Sequence, residues 1–101
     1  MEDLKTTKHV STTILQQLGA QRFILMTGAF DLGTDGNDLG LKFRGCKSAN
    51  YLNIKLNDDD TYTLLLGKIG RNYKIVFTEK GLYNNDLQRV FEDKTGLKIT
   101  L

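Results

Sequence analysis

The sequence predicts a two-layer α+β domain: an antiparallel sheet of about five strands with an N-terminal and a C-terminal helix packed on one face, in the order α-β-β-β-β-β-α. Three observations predict it. Between Asn50 and Glu79 apolar residues recur at every second position: Leu52, Ile54 and Leu56, then Tyr62, Leu64 and Leu66, then Tyr73, Ile75 and Phe77. That is the period of a half-buried strand. Asn57-Asp58-Asp59-Asp60 and Gly67-Lys68-Ile69-Gly70 separate these runs with turn chemistry, so the three strands read as a meander. Segments of helical period stand on either side of the strand-forming middle.

Residues 1–7 are polar and expected to be disordered. From Lys8 to Leu18, the apolar Val10, Ile14, Leu15 and Leu18 fall on one helical face, and Gly19 stands where a left-handed C-terminal cap belongs. Ser11, Thr12 and Thr13 are good caps, so the helix start could fall as late as Ser11. Arg22 to Thr27 is apolar on both sides and reads as an interior strand. Gly28 to Asp38 reads as the longest loop. Leu39, Leu41 and Phe43 alternate with Gly40, Lys42 and Arg44, giving a strand with a basic outer face. After the meander, Asn84 or Asn85 can cap a second helix with Leu87, Val90 and Phe91 inward, Lys94 in its last turn and Gly96 as its stop. Leu97 is placed to pack back on Phe91, and Lys98 to Leu101 could add a short terminal strand.

With 101 residues, 40% hydrophobic and 26% charged, the chain is expected to form one globular domain. Its longest apolar runs, Phe23 to Met26 and Leu64 to Leu66, are far too short to span a bilayer, so no membrane partner is expected. The charged start, Met1 to Lys5, lacks the apolar segment of a secretory signal, and a lone Cys46 cannot close an internal disulfide. A cytoplasmic location is expected. Fourteen Lys and Arg against twelve Asp and Glu leave a net charge of only +2. The distribution is uneven. Residues 39–75 hold seven cations and three acids, the acids all in the Asp58–Asp60 turn, so the sheet is the basic part of the chain.

The local patterns add up to a resemblance. Thr13-Ile14-Leu15-Gln16-Gln17-Leu18-Gly19, Arg22-Phe23 and Met26-Thr27-Gly28-Ala29 resemble the opening of a family of small bacterial proteins encoded in prophages and other mobile elements. Ile54-Lys55-Leu56-Asn57, Asp60-Thr61-Tyr62, Gly81-Leu82-Tyr83, Asp86-Leu87, Val90-Phe91 and Thr95-Gly96-Leu97 continue it. The resemblance covers residues 10–101 and departs around Asp31–Leu39 and Arg44–Ala49. These are packing and capping motifs, so the resemblance implies a phage-like setting and carries over no catalytic residue.

No reaction chemistry or cofactor is indicated by the residues. His9 is the only histidine and Cys46 the only cysteine, so a zinc site would need carboxylates for every other ligand. The acidic glycine loop from Asp31 to Asp38 resembles a calcium loop only in composition. Counted as an EF-hand from Asp31, its third and twelfth positions are Gly33 and Lys42. Gly33/Gly36 and Gly67/Gly70 form neither a dinucleotide fingerprint nor a phosphate-binding loop.

Two surfaces remain as leads for an accessory or binding protein. Lys42, Arg44, Lys55 and Lys74 are expected to point outward from strands, with Lys68 and Arg71 at a turn. Tyr51 is available to stack on a base, so this side suits a nucleic acid. Outward lysines also simply keep a sheet soluble and blunt its edges. Leu65, Ile69 and Val76 fall on the opposite parity from the core and suit a protein partner, from host or phage, or a homodimer.

Overall fold

The computed structural model describes residues 2–99, with side chains described from Val10 onward. Helix α1 is Glu2–Leu18 and α2 is Ala20–Thr27. Strands β1 (Phe30–Gly33), β2 (Asp38–Lys42), β3 (Tyr51–Leu56), β4 (Tyr62–Lys68) and β5 (Lys74–Leu82) follow. A 3₁₀ turn, Asn84–Asp86, leads into α3, Leu87–Thr95. The strands form one antiparallel meander in chain order, open at both edges. The class is α+β.

The core sits where the alternation puts it. Leu39, Leu41 and Phe43, then Leu52 and Ile54, then Tyr62, Leu64 and Leu66 are buried. They form one cluster with Ile14 and Leu18 of α1, Phe23 of α2, and Leu87, Val90 and Phe91 of α3. Phe91 is its hub. The Phe91 ring meets those of Phe23 and Phe43 edge-on, each at 5.2 Å between centroids. The asymmetric face–edge charge of aromatic rings favours this arrangement over a flat sandwich.

Arg22–Thr27, read from sequence as a strand, is helical. Eight residues is a length at which strand and helix compete. Ala20, Gln21, Arg22, Leu25 and Met26 are strong helix formers. In a helix only Phe23 and Thr27, four residues apart, are fully buried, while Leu25 is 77% exposed. The Thr27 hydroxyl donates to the Phe23 carbonyl at 2.7 Å, and the Gly28 N–H caps the helix on the Ile24 carbonyl. The first strand is therefore β1, inside the segment read as the Gly28–Asp38 loop. The sheet keeps five strands, but the order becomes α-α-β-β-β-β-β-α.

Gly19 makes the reversal between α1 and α2. Its φ of 119° is a conformation L side chains rarely adopt, and a Cβ there would lie 3.1 Å from Ile99. Ile99 is fully buried, and its N–H donates to the Glu92 carboxylate at 2.6 Å. Lys98 and Ile99 are thus a packed tail and not the terminal strand expected. Thr100 and Leu101 lie outside the described residues. Helix α1 starts at Glu2, ahead of the Lys8 to Ser11 start expected and across most of the stretch 1–7 expected to be disordered.

A second correction concerns β5. Leu66 pairs with Phe77 but Gly67 pairs with Ile75, so Val76 is an extra, bulged residue. The bulge turns Ile75 away from the core, leaving it 55% and Tyr73 53% exposed. Only Phe77 packs inward, as expected. At the start of the last helix, the Asp86 carboxylate accepts the Tyr83 N–H at 3.0 Å, taking the capping role expected of Asn84 or Asn85. Gly96 closes α3 in a left-handed conformation, its N–H on the Glu92 carbonyl.

Candidate binding face of the sheet

Cross-strand partners share a face of a sheet. The register therefore reads out the face away from the helices row by row. One row runs Lys42, Tyr51, Gly67, Ile75; the next runs Gly40, Asn53, Leu65, Thr78; a third runs Asp38, Lys55, Thr63. Apart from Gly67, which lies beneath Tyr73, each of these residues is exposed or half-buried, unlike its neighbours in the core.

Two tyrosines occupy this face, each beside a glycine. A Cβ on Gly67 would come within 2.9 Å of the Tyr73 ring, and one on Gly40 within 3.1 Å of the Tyr51 hydroxyl. A side chain at position 67 would displace the Tyr73 ring, and one at position 40 would press on the Tyr51 hydroxyl. The two rings stand 6.2 Å apart at 81°. Tyr51 thus fulfils its expected outward position, on the central strand. Tyr73 joins it only because of the bulge, which is why alternation assigns it to the core.

The cations expected on this face divide between its two sides. Lys42 is on the open face, 3.4 Å from the Asp31 carboxylate, and Lys55 is on it and exposed. Arg44 continues the alternation beyond β2, its guanidinium 4.4 Å above the Phe30 ring. Lys74 departs from the outward position expected of it. It pairs with Lys68, two residues beyond inward-facing Leu66, so the register puts both on the helix side. Lys68 donates there to the Lys47 carbonyl at 3.2 Å. Arg71 is exposed in the β4–β5 turn. Lys80 takes the place of Lys74: it shares a shallow depression with Lys55 and Thr63. Carrying the two-residue period past Glu79 to Gly81 would have found it.

Leu65 and Ile75 lie on the open face, and Val76, the bulged residue between Ile75 and Phe77, is exposed. Ile69 stands past the end of β4, where the Asn50 amide grips its backbone. The Ile69 N–H donates to Asn50 Oδ1 at 2.7 Å and its carbonyl accepts from Nδ2 at 2.9 Å.

The acidic loop is closed upon itself. Asp38 accepts the Asp35 N–H at 2.7 Å and the Asn53 amide at 2.9 Å, while the Thr34 hydroxyl donates to the Asp38 carbonyl at 2.6 Å. Among the described residues no three His, Cys, Asp or Glu side chains gather as metal ligands. The Cys46 sulfur lies 3.4 Å from the Ser48 hydroxyl. Partial burial pushes the thiol pKa up, but the Ser48 hydroxyl, the N–H groups of Ser48 and Ala49, and the charge of Lys68 together hold it below the ordinary value. The His9 side chain lies outside the described residues. No helix among the described residues is long and apolar enough to cross a membrane.

No protein-family model matches the chain, and neither a curated protein nor a solved structure is detectably similar to it.

Proposed function

We propose that this chain is a small, non-enzymatic accessory protein of a phage or mobile element, acting in the cytoplasm by binding single-stranded nucleic acid on its open sheet face. One observation carries the reading: Tyr51 and Tyr73 sit over glycines on that face, with Lys42, Arg44, Lys55 and Lys80 around them. Aromatic rings on a flat sheet offer unpaired bases a surface, and stacking contributes about 1–3 kcal/mol per base. Lysines and an arginine around the tyrosines suit the phosphates between bases. The phage setting is supported by the motif resemblance, and the cytoplasm by a single unpaired cysteine.

The test is fluorescence anisotropy with a labelled mixed-sequence DNA or RNA strand. Four phosphate contacts predict that log K falls with log[salt] at a slope of about −3. Reversing Lys42, Lys55 and Lys80 to Glu should abolish the binding. Reversing Lys68 and Lys74, on the helix side, should leave most of it. Affinity indifferent to salt and to the first set of changes would end the proposal.

A second reading has its own support. Leu65 and Ile75 are on the open face at its β4–β5 end, with the exposed, bulged Val76 next to Ile75 and Ile69 in the neighbouring turn. Apolar and aromatic residues ringed by charges suit a protein partner, from host or phage, or a second copy. Replacing Leu65 and Val76 by Asp should abolish such a contact in cross-linking while the fold, followed by circular dichroism, persists.

A further inference from the structure

We propose that a second copy of this chain adds to the sheet at β5, the two β5 strands pairing antiparallel about Thr78 to give a ten-stranded sheet. This contact uses the backbone edge and is independent of what the open face binds.

The two edges of the sheet differ. β1 is four residues long, its register shifts between Phe30 and Gly33, and Asp31 has a φ of 53°. Such a strand is a poor template. β5 is nine residues long and exposed except at Phe77 and Leu82, and no described strand pairs with its far side. Its irregularities flank a straight run, Phe77-Thr78-Glu79, which pairs without interruption with Leu66, Leu65 and Leu64. A regular exposed edge carries unpaired N–H and C=O groups that invite another strand.

Face and charge then select one register. Thr78 is on the open face and Phe77 and Glu79 on the helix side, as their β4 partners require. Opposite residues must share a face, so a two-fold axis must pass through a residue and not between two. Centred on Glu79, the pairing sets Glu79 against Glu79. Centred on Phe77, it sets Lys74 against Lys80 and an open-face Ile75 against an inward Glu79. Centred on Thr78, threonine meets threonine, Val76 meets Lys80, and Phe77 meets Glu79 of the second copy. The last pair supplies complementary charge. Lys94 Nζ stands 4.8 Å above the Phe77 ring, so the incoming carboxylate arrives beside it. Among the described residues Glu79 makes no ion pair within its own chain. The two-fold uses both β5 edges and leaves only the irregular β1 edges outside, which closes the assembly as a dimer.

Sedimentation equilibrium of the full chain over a concentration series tests this, with Glu79→Lys, Lys94→Glu and the double exchange. The wild type should dimerise. Each single reversal acts at two symmetric sites and should raise the dissociation constant about tenfold, and the double exchange should restore it to within about threefold. Amides of β5 should exchange with deuterium more slowly as concentration rises. A wild type monomeric at about 1 mM, or single reversals without effect, would overturn the proposal. So would a dimer abolished by Asp at Leu65 and Val76 but insensitive to position 79.

Discussion

Replacing Phe91 by alanine removes the one ring against which both Phe23 of α2 and Phe43, just past β2, rest edge-on. Phe91 is fully buried, so the change leaves a cavity as well as losing transfer energy, and such truncations cost about 3–5 kcal/mol. That is a large share of the roughly 5–15 kcal/mol that holds a domain of this size folded. A drop in melting temperature of about 15–30 °C follows, at roughly 4–8 °C per kcal/mol. Phe91→Leu keeps most of the volume and loses the two edge contacts, each contributing about 0.5–1.5 kcal/mol, so it should cost about 1–3 kcal/mol. Leu25→Ala is the informative control. As an exposed position of a helix it should change stability by less than about 0.5 kcal/mol, whereas an interior-strand leucine would cost about 2–5 kcal/mol. Urea denaturation followed by circular dichroism reads all three. A Phe91→Ala cost below about 1 kcal/mol, or a Leu25→Ala cost above about 2 kcal/mol, would refute the packing described.

Gly67→Ala should displace the Tyr73 ring, because the new methyl would stand 2.9 Å from it, and should cost little stability since that ring is 53% exposed and free to shift; unchanged Tyr73 ring resonances would contradict this. Cys46 should be alkylated with a half-maximal pH below that of a free thiol, and Ser48→Ala should move that pH up; identical profiles would remove the hydroxyl's role. The Tyr83 N–H, and after it Arg89, hold the Asp86 carboxyl below the usual carboxylate range. Its folded pKa is thus depressed, so its contribution is present above the ordinary carboxylate pKa and is lost as pH falls through the folded value. Asp86→Asn should therefore lower stability at neutral pH and flatten the acid limb of the stability curve, and parallel curves for the two proteins would count against it.

Much of this architecture is legible in the chain because burial there repeats cleanly. Leu39, Leu41, Leu52, Ile54, Leu64 and Leu66 face one side at every second residue, and Leu87, Val90 and Phe91 mark one helical stripe. α2 is illegible for a physical reason. Phe23-Ile24-Leu25-Met26 is apolar at every position, so neither period stands out, and only tertiary packing decides which side chains go inward. The bulge at Val76 is hidden likewise, since Ile75, Val76 and Phe77 are all apolar and one extra residue leaves no trace in the pattern. That single residue moves Tyr73 and Ile75 out of the core and carries Lys74 to the helix side. The candidate face was accordingly half visible. Lys42, Tyr51, Lys55, Leu65 and, with the period carried past Glu79, Lys80 follow from alternation, while Tyr73 required the register.

Adding a single-stranded oligonucleotide to isotope-labelled protein and following each backbone amide by NMR tests the open face most directly. Shifts should concentrate on Lys42, Tyr51, Asn53, Lys55, Leu65 and Thr78, with α1 and α3 unmoved. Shifts confined to the helices, or none at millimolar strand, would contradict this expectation.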